Sequence, residues 1–167
     1  MVSNVSRSPS KATVGKYYVA FYKGSSSHPV ARFLDGAIRF VTRGPYSHVE
    51  IARKDTDYDF TIYSSSIRDG GVRQKTLNLK EKHWDLIPIE NSDSASFKFN
   101  EASFLAFFNS VEGRKYDVLG VLGFVLYVRQ SNKRYFCSEF VAEALKFVDP
   151  WRISPNDLYS LVQPIDK

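Results

Sequence analysis

Cys137 is the only cysteine of this 167-residue chain, and it lies in the segment Arg134-Tyr135-Phe136-Cys137-Ser138-Glu139-Phe140-Val141-Ala142-Glu143-Ala144-Leu145. Cys137, Phe140, Val141, Ala144, Leu145 and Val148 recur at helical spacing, which predicts a helix that opens at the thiol and turns these residues toward the core. A helix start carries about half a unit of positive charge, an environment that favours thiolate over thiol. This prepares a nucleophile and requires one base nearby. The competing reading is a small apolar filler, because free cysteine is among the most buried residue types.

A second segment supplies the base. Gly44-Pro45-Tyr46-Ser47-His48-Val49-Glu50-Ile51-Ala52 opens as a turn and continues as a short alternating strand. Val49 and Ile51 point to one side, and His48 and Glu50 share the other. In a Cys–His pair the imidazole takes the thiol proton, and the resulting ion pair attacks a carbonyl. A carboxylate at Glu50 would hold the imidazole tautomer and favour imidazolium, the part played by a third triad member. The ordinary reading of Glu50 is a solvated strand residue. His28 and His83 are remote from Cys137 in sequence, and surface or satisfied-core roles are expected for both.

These residues need elements to hold them. Tyr17–Tyr22 reads as a strand, with further strands near 47–53, 59–64, 72–77 and Trp84–Ile89. Pro29–Thr42 carries Val30, Phe33, Leu34, Ala37, Ile38 and Val41 at helical spacing, with Gly44 as its stop. Glu101–Val111 presents Phe104, Leu105, Phe108 and Val111, capped by Asn100 and stopped at Gly113. Asp117 reads as the cap of the next segment. Ser154-Pro155-Asn156-Asp157 starts a short C-terminal turn or helix. Helices packed against an antiparallel sheet make the class α+β. The length predicts one domain over 16–167, preceded by a flexible arm over 1–15.

Ser47-His48-Val49-Glu50-Ile51, Ile62-Tyr63-Ser64-Ser65 and Tyr135-Phe136-Cys137-Ser138-Glu139-Phe140-Val141 together resemble the circularly permuted branch of the NlpC-type papain-like cysteine peptidases. Their order carries the resemblance. Ordinary members place Cys before His, whereas His48 precedes Cys137 here, as in the permuted branch and its lecithin:retinol acyltransferase relatives. The strand Tyr17–Tyr22 and the Lys115-Tyr116-Asp117 step are similar to the flanks of this group, and the Ile153-Ser154-Pro155-Asn156-Asp157-Leu158 ending is similar to that of its phage-encoded members. The resemblance spans most of 16–160 and implies a permuted papain-like fold with catalytic Cys137 and His48. It also implies a third polar residue on the strand after the histidine strand, orienting the imidazole through its second nitrogen. That position falls at Ser64, a weaker orienter than Glu, His or Asn, so Ser64 and Glu50 both stand as candidates.

Composition narrows the partners. With 23 Lys+Arg against 18 Asp+Glu, the net charge of +5 predicts weak binding to anionic polymers or membrane surfaces. The basic residues are dispersed and no nucleic-acid motif is present, so no sequence-specific nucleic-acid partner is expected. A 43% hydrophobic and 15% aromatic content excludes global disorder. A single cysteine excludes an internal disulfide, and no Cys/His cluster has zinc-ligand spacing. No P-loop and no dinucleotide fingerprint occurs, so no cofactor is expected. Residues 1–16 lack the apolar stretch of a secretory signal, and the run 118–128 is too short to cross a bilayer. The expected location is the cytoplasm, or the virion for a phage-encoded protein. The expected activity is that of a cysteine peptidase or amidase acting on a peptide or acyl-amine. The alternatives are a lipid-directed acyltransferase or thioesterase of the same fold, and an inactive virion or binding protein.

Overall fold

Five alternating segments build one sheet. Strands β1 (Tyr17–Tyr22), β2 (His48–Lys54), β3 (Phe60–Ser66), β4 (Gly71–Leu77) and β5 (Trp84–Ile89) pair antiparallel throughout, in the order β4-β3-β2-β1-β5. The computed structural model describes residues 15–25, 27, 29–89, 97–117 and 134–163. Strand β1 is paired on both sides, with Val19 between Ile51 of β2 and Ile87 of β5.

The two faces of the sheet are unequal. Val19, Phe21, Val49, Ile51 and Tyr63 face the larger core, which they share with Phe104 and Phe108 of helix α2 (Glu101–Val111) and Phe140 and Val141 of helix α3 (Cys137–Ala144). Phe140 is fully buried; truncating such a ring to alanine costs about 3–5 kcal/mol. Tyr18, Ala20, Ala52, Phe60, Ile62 and Leu79 form a smaller cluster on the other face. Helix α1 (Pro29–Thr42) and helix α4 (Pro155–Leu161) complete four α-helices among the described residues, a mixed α+β architecture. No helix among them is long and apolar enough to cross a membrane.

The predicted helices at Pro29–Thr42 and Glu101–Val111 form with those limits, and Asn100 Oδ1 accepts from the Ser103 N–H at 3.0 Å as the expected cap. Two expectations are corrected. The helix at Cys137 ends at Ala144 although its apolar period runs on to Val148, because Lys146 adopts a left-handed φ of 64° and so breaks the helix. Val148 is exposed as a result. Helix α1 leaves Phe33, Phe40 and Val41 exposed, so its apolar period does not mark a buried face. His28, the arm over 1–14 and the apolar run 118–128 lie outside the described residues, as does the segment that Asp117 was expected to cap.

Two tertiary contacts set the frame around the site. A Cβ at Gly71, where φ is 157°, would collide with the Arg114 carbonyl oxygen. Only glycine lets the 114–116 segment dock on the start of β4 there, through Val72 N–H to Arg114 C=O at 2.8 Å. Asn156 of α4 clamps the turn before β2: its Oδ1 accepts from Tyr46 N–H at 3.0 Å and its Nδ2 donates to Tyr46 C=O at 2.8 Å.

Candidate active site

Cys137 is the first residue of α3, so its backbone N–H has no acceptor within the helix. The approach to it is tied down from two sides. Ser65 Oγ of β3 donates to the Tyr135 carbonyl at 2.6 Å, and Asp117 N–H donates to the same oxygen at 3.0 Å. Glu139, in the first turn, accepts from Phe136 N–H through Oε2 at 3.4 Å. Burial pushes the Glu139 carboxyl up to about 7, helped by the charges of Asp117 and Glu143 and opposed by the Phe136 N–H. The cysteine is buried.

His48 opens β2, with its side chain 20% exposed. It belongs to the smaller-core face, whereas Cys137 belongs to the larger core. Helix α3 packs against β2 and β3, which brings the Cys137 side chain close enough to act on the His48 ring electrostatically. The ring Nε2 donates to Glu50 Oε1 at 2.9 Å. With Nε2 engaged by the carboxylate, Nδ1 is left for the thiol. Burial alone would lower the His48 pKa. The negative charge and hydrogen bond of Cys137, then those of Glu50, outweigh it and raise the ring to about 9. The ring is thus stabilised as imidazolium between two acidic partners.

Glu50 is 2% exposed, unlike an ordinary strand glutamate. Burial opposes its ionisation, but the hydrogen bond and charge of His48, then those of Arg73, hold the carboxyl below the usual range. Arg73 Nη2 donates to the same Oε1 at 2.8 Å, and its Nε donates to Asp69 Oδ2 at 2.7 Å. Lys75 Nζ reaches Asp69 Oδ1 at 2.9 Å. Burial opposes ionisation of Asp69 too, but hydrogen bonds from Arg73 and Lys75 lower it to about 2. Charges alternate outward from the thiol through His48, Glu50, Arg73 and Asp69.

Ser64 occupies a different place. Its fully buried hydroxyl donates to the Val49 carbonyl at 2.8 Å, and no hydrogen bond joins it to His48 among the described residues. Ile51 pairs with Tyr63, which puts Ser64 beside Glu50, and Ser64 itself pairs with Arg73. Glu50 and Arg73 are thus two strands apart, roughly 10 Å between backbones. A small residue between them leaves room for the long arginine side chain to cross.

Nothing in the sequence singles out Arg73 from the other dispersed basic residues. Alternation puts Arg73 and Lys75 on one face of β4; that this is the His48 face depends on the register across three strands. Tyr116 lines a cleft of about 90 Å³ with Leu34, Asp35, Ile38, His48 and Glu50. Burial first, then the charge of Cys137, holds the Tyr116 phenol well above its ordinary value, so it is a hydrogen-bond donor beside the cleft. No group of three or more His, Cys, Asp or Glu side chains that could hold a metal occurs among the described residues. His83 does not line the cleft; its ring stands against Tyr22, which does. No protein-family model and no curated protein matches the chain, so its functional reading rests on this geometry.

Proposed function

We propose that the chain is a cysteine hydrolase on a permuted papain-like, NlpC-type fold, cleaving an amide bond of a peptide or acyl-amine through an acyl-enzyme. The observation that carries this reading is the hydrogen bond from the His48 ring to the buried Glu50 carboxylate, in a ring whose protonated form Cys137 also favours. A histidine that only filled space would not need a carboxylate desolvated to this degree behind it.

In this mechanism Cys137 Sγ attacks the carbonyl carbon after its proton passes to His48. The tetrahedral oxyanion faces the start of α3, where the Cys137 backbone N–H is free of helical bonding. The C–N bond then breaks, and the departing amine takes its proton from His48. Water next attacks the thioester with His48 as base, releasing the carboxylic acid and restoring the thiol. Glu50 keeps Nε2 protonated throughout, so that Nδ1 can exchange the reacting proton.

Half-buried Leu34 and Ile38 along the cleft favour a substrate with an aliphatic portion. A lipid-directed acyltransferase or thioesterase using the same nucleophile is therefore the second reading. Both readings predict an acyl adduct on Cys137 when the protein meets amide, ester or thioester probes, detected by intact mass. The adduct is expected to vanish in Cys137→Ala and to form far more slowly in His48→Ala. A probe panel that yields neither adduct nor turnover would instead support the non-catalytic binding protein.

A further inference from the structure

Helix α1 is oriented opposite to what a soluble helix requires. Its polar residues face the protein: Asp35 is buried and pairs with Arg68 at 3.8 Å, and Arg39 donates to Gly24 C=O and to Ser47 Oγ at 3.0 Å. Its apolar residues face out, with Phe33 75%, Phe40 84% and Val41 45% exposed. At 100° per residue these three share one arc of the helix, with Arg32 along one edge and Arg43 just past the helix end. A surface helix normally does the reverse, because exposed aromatic rings forgo burial energy. Scattered apolar residues need no explanation, but several on one helix face mark an interaction surface.

The charge pattern selects the partner. Among the exposed residues of 29–43, the only charged ones are Arg32 and Arg43. The one acidic residue of the helix, Asp35, is turned inward, and the whole chain carries +5. A patch of aromatic rings edged by arginines, with no exposed acid, suits the headgroup–acyl boundary of an anionic bilayer. A second copy of the chain would meet the same cations and be repelled.

We propose that α1 is an interfacial docking helix that seats this protein on anionic membranes, with Phe33, Phe40 and Val41 inserted and Arg32 and Arg43 on the lipid phosphates. Leu34, Asp35 and Ile38 of the same helix wall the cleft beside His48, so the docking helix and the cleft share one element.

The test is sedimentation with vesicles of phosphatidylcholine, alone or with one third replaced by phosphatidylserine. The intact protein is expected to sediment with the anionic vesicles and poorly with the neutral ones. Phe33→Ser/Phe40→Ser should weaken binding about tenfold or more while leaving the circular dichroism unchanged. Arg32→Glu/Arg43→Glu should remove the preference for anionic lipid. Phe40→Trp, read against the parent's own tryptophans, should be quenched by brominated acyl chains. Cys137→Ala should bind like the parent, which scores docking separately from catalysis. Failure of the parent to bind anionic vesicles would overturn the proposal. So would binding that needs the arginines but not the phenylalanines, the mark of a soluble anionic polymer site. A vesicle-independent dimer that Phe33→Ser/Phe40→Ser dissolves, without lipid binding, would overturn it as well.

Discussion

Glu50 Oε1 accepts two charged hydrogen bonds at once, from His48 Nε2 at 2.9 Å and from Arg73 Nη2 at 2.8 Å. One buried oxygen therefore fixes the imidazole tautomer while its own charge is balanced from behind. A carboxylate only accepts, so the proton between Glu50 and His48 belongs to the ring.

Replacing Glu50 with Gln keeps the shape but allows the amide N–H₂ to face Nε2, which favours the wrong tautomer. Turnover of any probe the protein cleaves should fall about 10²- to 10⁴-fold in Glu50→Gln. Ser64→Ala should stay within a few-fold of the parent, since the Ser64 hydroxyl bonds the Val49 carbonyl rather than the ring. Steady-state kinetics of the two variants check this, and the reverse ranking would transfer the orienting role to Ser64.

The choice between these two residues shows where the sequence stops being informative. Alternation along β2 is enough to put His48 and Glu50 on one face, and the limits of α1 and α2 follow from their apolar period and flanking stop residues. The direction of a ring nitrogen depends on what stands behind the ring, and Arg73 comes from two strands away. Strand pairing decides that contact, and the pairing is not written locally in 71–77. Periodicity also misleads at Val148, where a left-handed Lys146 ends the helix although the apolar spacing continues. It misleads again in α1, where the period predicts a helix without saying which face the protein covers.

Arg73 is a positioning residue in this account, and its removal should act in two ways. Arg73→Met leaves Glu50 buried with only the imidazole for balance, and breaking a buried pair costs about 3–5 kcal/mol. The retained bond of Asp69 to Lys75 does not compensate, because it lies outside the cluster around His48. Without the arginine charge, the Glu50 carboxyl should also titrate higher, moving the acid limb of the kcat profile upward. Urea unfolding and a pH–rate profile read the two effects. Arg73→Lys should restore part of the profile, whereas a merely structural role would move stability alone.

Glu139 gives a pH dependence of stability with a definite sign. Its folded carboxyl is raised from 4.5 to about 7, so the folded state binds the extra proton between those values. The advantage of that protonation is complete below about 4.5 and is lost as pH rises through about 7. Glu139→Gln should match the parent near pH 4.5 and melt a few degrees higher above pH 7, roughly 2–4 °C for each kcal/mol. Calorimetry across this range checks it; a variant that is less stable at pH 8 would show that the ionised carboxylate stabilises the helix start.

Catalysis by this site requires that His48 activate Cys137, and the single cysteine of the chain is an unambiguous probe of it. An ordinary thiol, with a pKa of about 8.5, is almost wholly protonated near pH 6.5 and alkylates slowly. The measurement is the rate of iodoacetamide alkylation of the native protein near that pH, followed by intact mass, for the parent and for His48→Ala. Rapid labelling of the parent, reduced tenfold or more in His48→Ala, is the predicted result. Equal rates in the two proteins would contradict a Cys137–His48 nucleophile.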